Sequence, residues 1–379
     1  NKPIPDVVSD IYDEKEYKKW LAYTMENYRF GLITKTISTI LILAFFIFGV
    51  FPLFDELADG ITANLAFRTI IFMGLYWLVG FLVGLFPEYY HTFVIEEKYG
   101  FNKTTKKTFI LDKVKSVVLT IVFGGGLIFL IATIYDKAGN MFFLITWGSL
   151  IVIMLIINIL YVPVIVPLFN KLSPLEEGSL KDKINNFAES VGYEVSKISV
   201  MDASRRSTKM NAYFTGFGRF KKIVLFDTLV NKLEEDEIVA ILAHEIGHNK
   251  HKHIIFNLVQ MVIMLSVYIG TLLLVLENPV FSTAFNFSGV NLGFSIILFM
   301  VLIEPVSILV NVLLSALSRK HEYQADRYAA TKYKKEPMIS GLKKTAKGNF
   351  ANLTPHPINV KMRYSHPPIA DRITAIERI

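Results

Sequence analysis

Residues 244–248 read His-Glu-Ile-Gly-His. On a helix, residues four apart share a face, so these two imidazoles can reach one metal ion. A glutamate beside the first histidine can then take a proton from a water molecule at that ion. The pattern points to zinc-dependent peptide hydrolysis, with His244 and His248 as ligands and Glu245 as general base. Ala240, Ala243 and Gly247 are small enough to let this stretch pack closely against a neighbour.

A catalytic zinc takes three protein ligands and keeps one position open. The third ligand must come from another part of the chain. Glu322, in Glu-Tyr-Gln-Ala-Asp at 322–326, is the leading candidate, and His321 competes with it. Asp326 is four residues after Glu322 and faces the same way. It can accept the outer N–H of a ligand histidine and so fix its tautomer. The oxyanion that forms during peptide hydrolysis needs donors besides the metal. They are sought in "KMNAYFTGF", residues 209–217, and in the C-terminal tail. Asn211 precedes an edge-strand pattern along which an extended peptide can add. His366 and Arg372, both in "SHPPIADR", are ordinary on residue type alone.

The elements that must position these residues are unusual for a protease. Of 379 residues, 52% are apolar and 19% charged, where soluble domains run nearer about a quarter charged. Six apolar runs each approach the ~20 residues that a bilayer-spanning helix needs. They lie at 33–54, 65–86, 116–134, 141–162, 254–276 and 292–317. None alternates with the two-residue period of a membrane barrel. The connectors 55–64, 135–140 and 277–291 carry a single basic residue, Lys137, between them. Nearly all of the 40 Lys and Arg therefore fall on one side, which is cytoplasmic by the positive-inside rule. That placement accounts for the net charge of +7. No basic patch with stacking aromatics is present, so nucleic acid is not an expected partner. The chain has no cysteine and hence no disulfide or thiol chemistry.

The expected fold class is an all-α polytopic membrane protein carrying a cytosolic α+β zincin-like metalloprotease domain. Residues 1–32 form a cytosolic N-terminal segment. Residues 33–162 hold four membrane helices with a polar cytosolic loop at 87–115. Residues 163–253 are the first part of the protease domain, and 254–317 are two further membrane helices. Residues 318–379 complete the protease domain with the third ligand and the tail. Within 163–253, "KISVMDA", "NAYFTGF" and "KKIVLFDTL" predict a small antiparallel sheet. The HExxH helix starts at the acidic 234–237 and runs without a break into the apolar tract that follows. On that helix His251 and His253 fall off the ligand face and read as headgroup-level residues. Glu304, inside an apolar run, is either a functional carboxylate or a hydrogen-bonded structural one.

"HEIGH", "EYQAD", "NAYFTGF", "IVLFDTL", "VIEEKYGFNKTT" and "SHPPIADR" together resemble the type I CAAX prenyl protease family, from about residue 28 to the end. The resemblance implies seven membrane helices around a water-filled chamber, with one zinc at its cytosolic end. It implies zinc on His244, His248 and Glu322, with Glu245 as base. It also implies that Asn211, His366 and Arg372 line the cleft and contact the peptide. The implied substrates are prenylated C-terminal CaaX peptides, from which the last three residues are removed, and the implied location is the endoplasmic reticulum or plasma membrane. Only six spans are seen, so a first helix is expected upstream of Asn1. Quality control of unfolded membrane proteins is the alternative use of the same chemistry, and a metal-binding transporter the distant one.

Overall fold

The structure, a computed structural model, describes residues 4–194, 198–215 and 222–379. It is mostly helical. Five segments are long and apolar enough to cross a membrane: Glu14–Ile47, Leu65–Tyr99, Lys106–Phe169, His253–Leu276 and Leu292–Lys332. The six apolar runs become five segments because those at 116–134 and 141–162 share Lys106–Phe169. That segment is not straight. Gly139, at φ +48, breaks the helix, and Lys115 Nζ donates to the Leu168 carbonyl at 2.7 Å. A straight helix would hold those two residues about 80 Å apart.

The 87–115 connector is mostly helical rather than loop. The helix Leu65–Tyr90 passes through a π-helical turn, His91–Glu96, and ends at Gly100, whose φ of +86 suits glycine. The short loop that follows is held by the protease part. Lys103 N donates to Arg206 O at 3.0 Å, and Thr208 N donates to Phe101 O at 3.1 Å. The Arg206 guanidinium grips Asp112 through two bonds of 2.9 and 3.0 Å. At the other end of the chain, Tyr12 and Trp20 donate to the carbonyls of Ala346, Ala351 and Phe350. The N-terminal segment is thereby tied to the tail.

The sheet has four strands in the order β1-β2-β4-β3, with β1 Leu172–Pro174, β2 Ile198–Met201, β3 Ala212–Thr215 and β4 Lys222–Phe226. It is mixed rather than antiparallel. β2 pairs with β4 in parallel, and β1–β2 and β3–β4 are antiparallel. Local strand patterns carry no information on direction, and β1 was hidden by the Ser-Pro that marks a break. β3 is an edge strand, as its pattern predicts. The protease core is built from β4 and the HExxH helix, Glu235–Lys250, with Ile223, Leu225, Ile238, Leu242 and Ile246 fully buried.

That helix opens on acidic residues that suit a helix N-terminus. Glu237 accepts from Glu234 N at 2.8 Å and also binds Lys344 and Ser340 of the next-to-last long helix, Lys335–Gly348. The HExxH helix does not continue into the apolar tract. It ends at His251, Lys252 takes a left-handed φ of +59, and a new helix begins at His253. The long helix Leu292–Lys332 is different. Its 41 residues span about 60 Å, roughly twice a hydrocarbon core of ~30 Å, so its last turns stand clear of the bilayer. Those turns carry Glu322 and Asp326, as the extension of the sixth apolar run predicts.

Candidate metal centre

The HExxH helix and the end of the long helix cross at their backbones. A Cβ on Gly247 would lie 3.0 Å from Tyr328 Cβ and 3.1 Å from Ala325 Cα. Only glycine allows this approach, and it brings Glu322 to the histidines. Neither neighbour is a flexible side-chain tip. Gly247→Ala is expected to cost about 1–3 kcal/mol of stability and to weaken metal binding, because the helices must part. Thermal unfolding together with metal content checks this, and an unchanged variant contradicts it.

Across that contact, one donor atom from each of His244, His248 and Glu322 falls within 4.8 Å of the others. His244 Nε2 and His248 Nε2 are 3.1 Å apart. His248 Nε2 is 3.2 Å from Glu322 Oε1, and His244 Nε2 is 3.5 Å from Glu322 Oε2. Ligands on a tetrahedral zinc at ~2.0–2.2 Å stand about 3.3 Å from one another, so the spacing fits that ion. The donor set, two imidazoles and a carboxylate, also suits zinc. Glu322 Oε2 is buried and makes no hydrogen bond among the described residues; His244 Nε2 and Arg372 Nη1 stand off at 3.5 and 3.6 Å, which leaves room for a bound cation to meet it. His321 does not compete: it stacks on His253 at 4.0 Å instead.

The surroundings favour positive charge at the donors. Burial works against a charged His244, but Asp326 and Glu322 outweigh it and raise its pKa to about 9. Groups that hold an extra proton there attract a metal cation for the same electrostatic reason. Asp326 Oδ1 accepts from His244 Nδ1 at 2.8 Å, which leaves Nε2 free to ligate. Glu245 sits half-buried on the same helix, and burial raises its carboxyl above the usual carboxylate range.

Arg372 is brought to Asp326, beside Glu322 and His244. It is 8% exposed, and its Nε and Nη2 bind the two Asp326 oxygens at 2.8 and 2.6 Å. Its Nη1 lies 3.6 Å from Glu322 Oε2. Burial disfavours the guanidinium charge, and Asp326 more than offsets that. His366 is the open-side residue: its side chain is 63% exposed, with Nε2 3.5 Å from Glu322 Oε1. Asn211 is exposed, and the hydrogen bonds it makes among the described residues are with the sheet. Its Oδ1 accepts from Ala212 N at 2.9 Å and its carbonyl from Phe226 N at 3.1 Å.

His253 stays outside the donor triangle, at the start of the apolar helix His253–Leu276, but its ring packs behind His248. It is 4% exposed, and its Nδ1 is 2.9 Å from Nδ1 of His248. Angles counted along one helix fail across the reversal at Lys252. A short polar run, Asn-Lys-His-Lys, between two helical patterns was the signal that the helix breaks there.

Residues 1–171 match the model for CAAX prenyl protease N-terminal, five membrane helices, and residues 174–379 match the model for peptidase family M48. The chain is 33% identical to CAAX prenyl protease 1 of Saccharomyces cerevisiae, over 99% of this chain and 89% of that protein. It is 30% identical to the CAAX prenyl protease 1 homolog of Homo sapiens, over 99% of this chain and 88% of that protein. The crystal structure of S. mikatae Ste24p is similar over 100% of this chain and 92% of that chain, with a TM-score of 0.93 and 33% identity.

Proposed function

Because the chain belongs to the CAAX prenyl protease 1 family and is an M48 zinc metallopeptidase in a multi-pass membrane protein, we propose that it cleaves prenylated CaaX peptides at a site made by His244, His248 and Glu322, with Glu245 as base. The observation that carries this is the triangle of donor atoms that His244, His248 and Glu322 form. The relatives named as CAAX prenyl proteases supply the substrate class.

Zinc bound at these three residues supplies a Lewis acid and an acidified water near neutral pH. Glu245 takes the proton from the attacking water and returns it to the leaving amine. Burial raises its carboxyl, the direction that makes a carboxylate a stronger base. His366, open to solvent beside Glu322, donates to the carbonyl oxygen as charge builds on it. The peptide adds along the free edge of β3, and Asn211 at the start of that strand fixes its register. Asp326 holds His244, and Arg372 holds Asp326.

The doubled-back Lys106–Phe169 segment supports two crossings, a reading in which the five membrane-length segments give six. The ends that carry the protease part face the cytosol, where the basic residues collect. Glu304 stands exposed beside Pro305 in the helix Leu292–Lys332. A carboxylate at that depth is tolerated where it meets water, which favours an aqueous chamber inside the helices.

Purified protein is expected to hydrolyse a farnesylated CaaX peptide and to stop when a chelator such as phenanthroline removes zinc, with activity returning on zinc addition. Equal turnover of the same peptide without its lipid sinks the prenyl-specific reading and favours membrane-protein quality control. Metal transport without hydrolysis sinks the peptidase site.

A further inference from the structure

The two ligand histidines are held from behind by different groups. His244 Nδ1 rests on a carboxylate, Asp326. His248 Nδ1 rests on a second imidazole, that of His253, at 2.9 Å. The far nitrogen of His253, Nε2, lies 2.9 Å from Oε1 of Gln324. Gln324 belongs to the long helix, two residues from Glu322 and Asp326. Three residues thus run in line through two contacts: Gln324, His253, His248.

The far end of the line settles where its hydrogens sit. An amide oxygen only accepts, so Nε2 of His253 carries a hydrogen. A neutral His253 then presents a lone pair at Nδ1. The hydrogen between the two Nδ1 atoms therefore belongs to His248. With Nδ1 protonated, His248 keeps its lone pair on Nε2, the atom that faces His244 Nε2 and Glu322 Oε1. The opposite order would put a hydrogen on His248 Nε2 and close it to a metal.

We infer that His253, oriented by Gln324, is a positioning residue that locks His248 in its zinc-binding tautomer; the inference rests on the zinc site proposed above. The geometry is rigid enough for this. His253 is 4% exposed and lies flat on the His321 ring, 4.0 Å between centroids at 14°. It also begins the helix that follows the HExxH helix, so the left-handed turn at Lys252 sets the angle at which it meets His248. The arrangement places one ligand under a negative group and the other under a neutral one. The protein can thus orient both imidazoles without burying a second carboxylate that a cation would have to satisfy.

The test is zinc affinity of the full-length protein, measured by competition with a chromogenic chelator, beside thermal unfolding of each variant stripped of metal. His253→Leu is expected to bind zinc about 10–100-fold more weakly. His253→Asn, whose Oδ1 can still accept from His248, is expected to recover much of that loss. Gln324 is half-buried and gives a second pair in case the His253 variants fail to fold. Gln324→Leu should weaken zinc binding, and Gln324→Glu, which keeps the acceptor, should stay near the parental affinity. Leucine variants that bind zinc as tightly as a zinc-containing parent overturn the positioning role and leave the zinc site standing. A parent that binds no zinc overturns the site itself, and this role with it.

Discussion

Glu245→Gln is expected to keep zinc and lose peptide hydrolysis by about 10²–10⁴-fold, the range for removal of a general base. The two readouts separate because Glu245 is not among the three clustered donors. Zinc content should therefore match the parent. Stability should not fall either. Burial raises the Glu245 carboxyl, so the folded state disfavours its ionised form relative to the unfolded chain. That penalty is present at pH values above the unfolded carboxylate pKa and vanishes as pH falls below it. A neutral amide of the same shape removes it. The variant is expected to unfold at the same temperature as the parent or higher. Hydrolysis within a few-fold of the parent, with zinc bound, would falsify the assignment of the base. Loss of zinc along with activity would instead make Glu245 part of the binding site. The single-point readout that matters is kcat at saturating farnesylated peptide, since the lipid anchors the substrate independently of Glu245.

The residues of this site differed in how far sequence alone could place them. His244, His248 and Glu245 are local: five consecutive residues on one helix carry their own geometry. Glu322 and Asp326 were legible because they repeat the same four-residue spacing on a second helical pattern, although nothing local says that the two helices touch. Gly247 is what makes them touch, and its role depends on Ala325 and Tyr328 of the helix Leu292–Lys332. The contact of His253 with His248 is not legible in the periodicity, because a helical angle has meaning only within one helix, and one left-handed residue resets it. The sheet was legible as strands but not as a topology, because a parallel pair such as β2 and β4 depends on where distant segments return. The apolar runs were legible as membrane helices, while the fold-back of Lys106–Phe169 depends on a contact between distant residues, Lys115 and Leu168. Asn211, His366 and Arg372 were reachable only through likeness to a family. Their types are common, and their neighbours lie far away in sequence.

Asp326→Ala is expected to cost about 3–5 kcal/mol of stability, the range for breaking a buried ion pair from one side. The Arg372 guanidinium would remain buried with its two short bonds gone, and the His244 N–H would lose its acceptor. Zinc affinity should fall as well, because the His244 ring is no longer held. Arg372→Leu tests the other side and should differ in kind. It leaves Asp326 still bonded to His244, so zinc affinity should fall less than in Asp326→Ala. The double variant should cost less than the two single losses added together, since neither Asp326 nor Arg372 is left facing an absent partner. Chemical unfolding and chelator competition on the four proteins measure both quantities. Arg372 is the point on which two readings part. If it chiefly contacts peptide, Arg372→Leu raises KM while stability and zinc affinity hold. If it chiefly holds Asp326, stability and zinc affinity fall together, and KM for the peptide moves little. Its burial and its paired bonds to one carboxylate favour the second outcome.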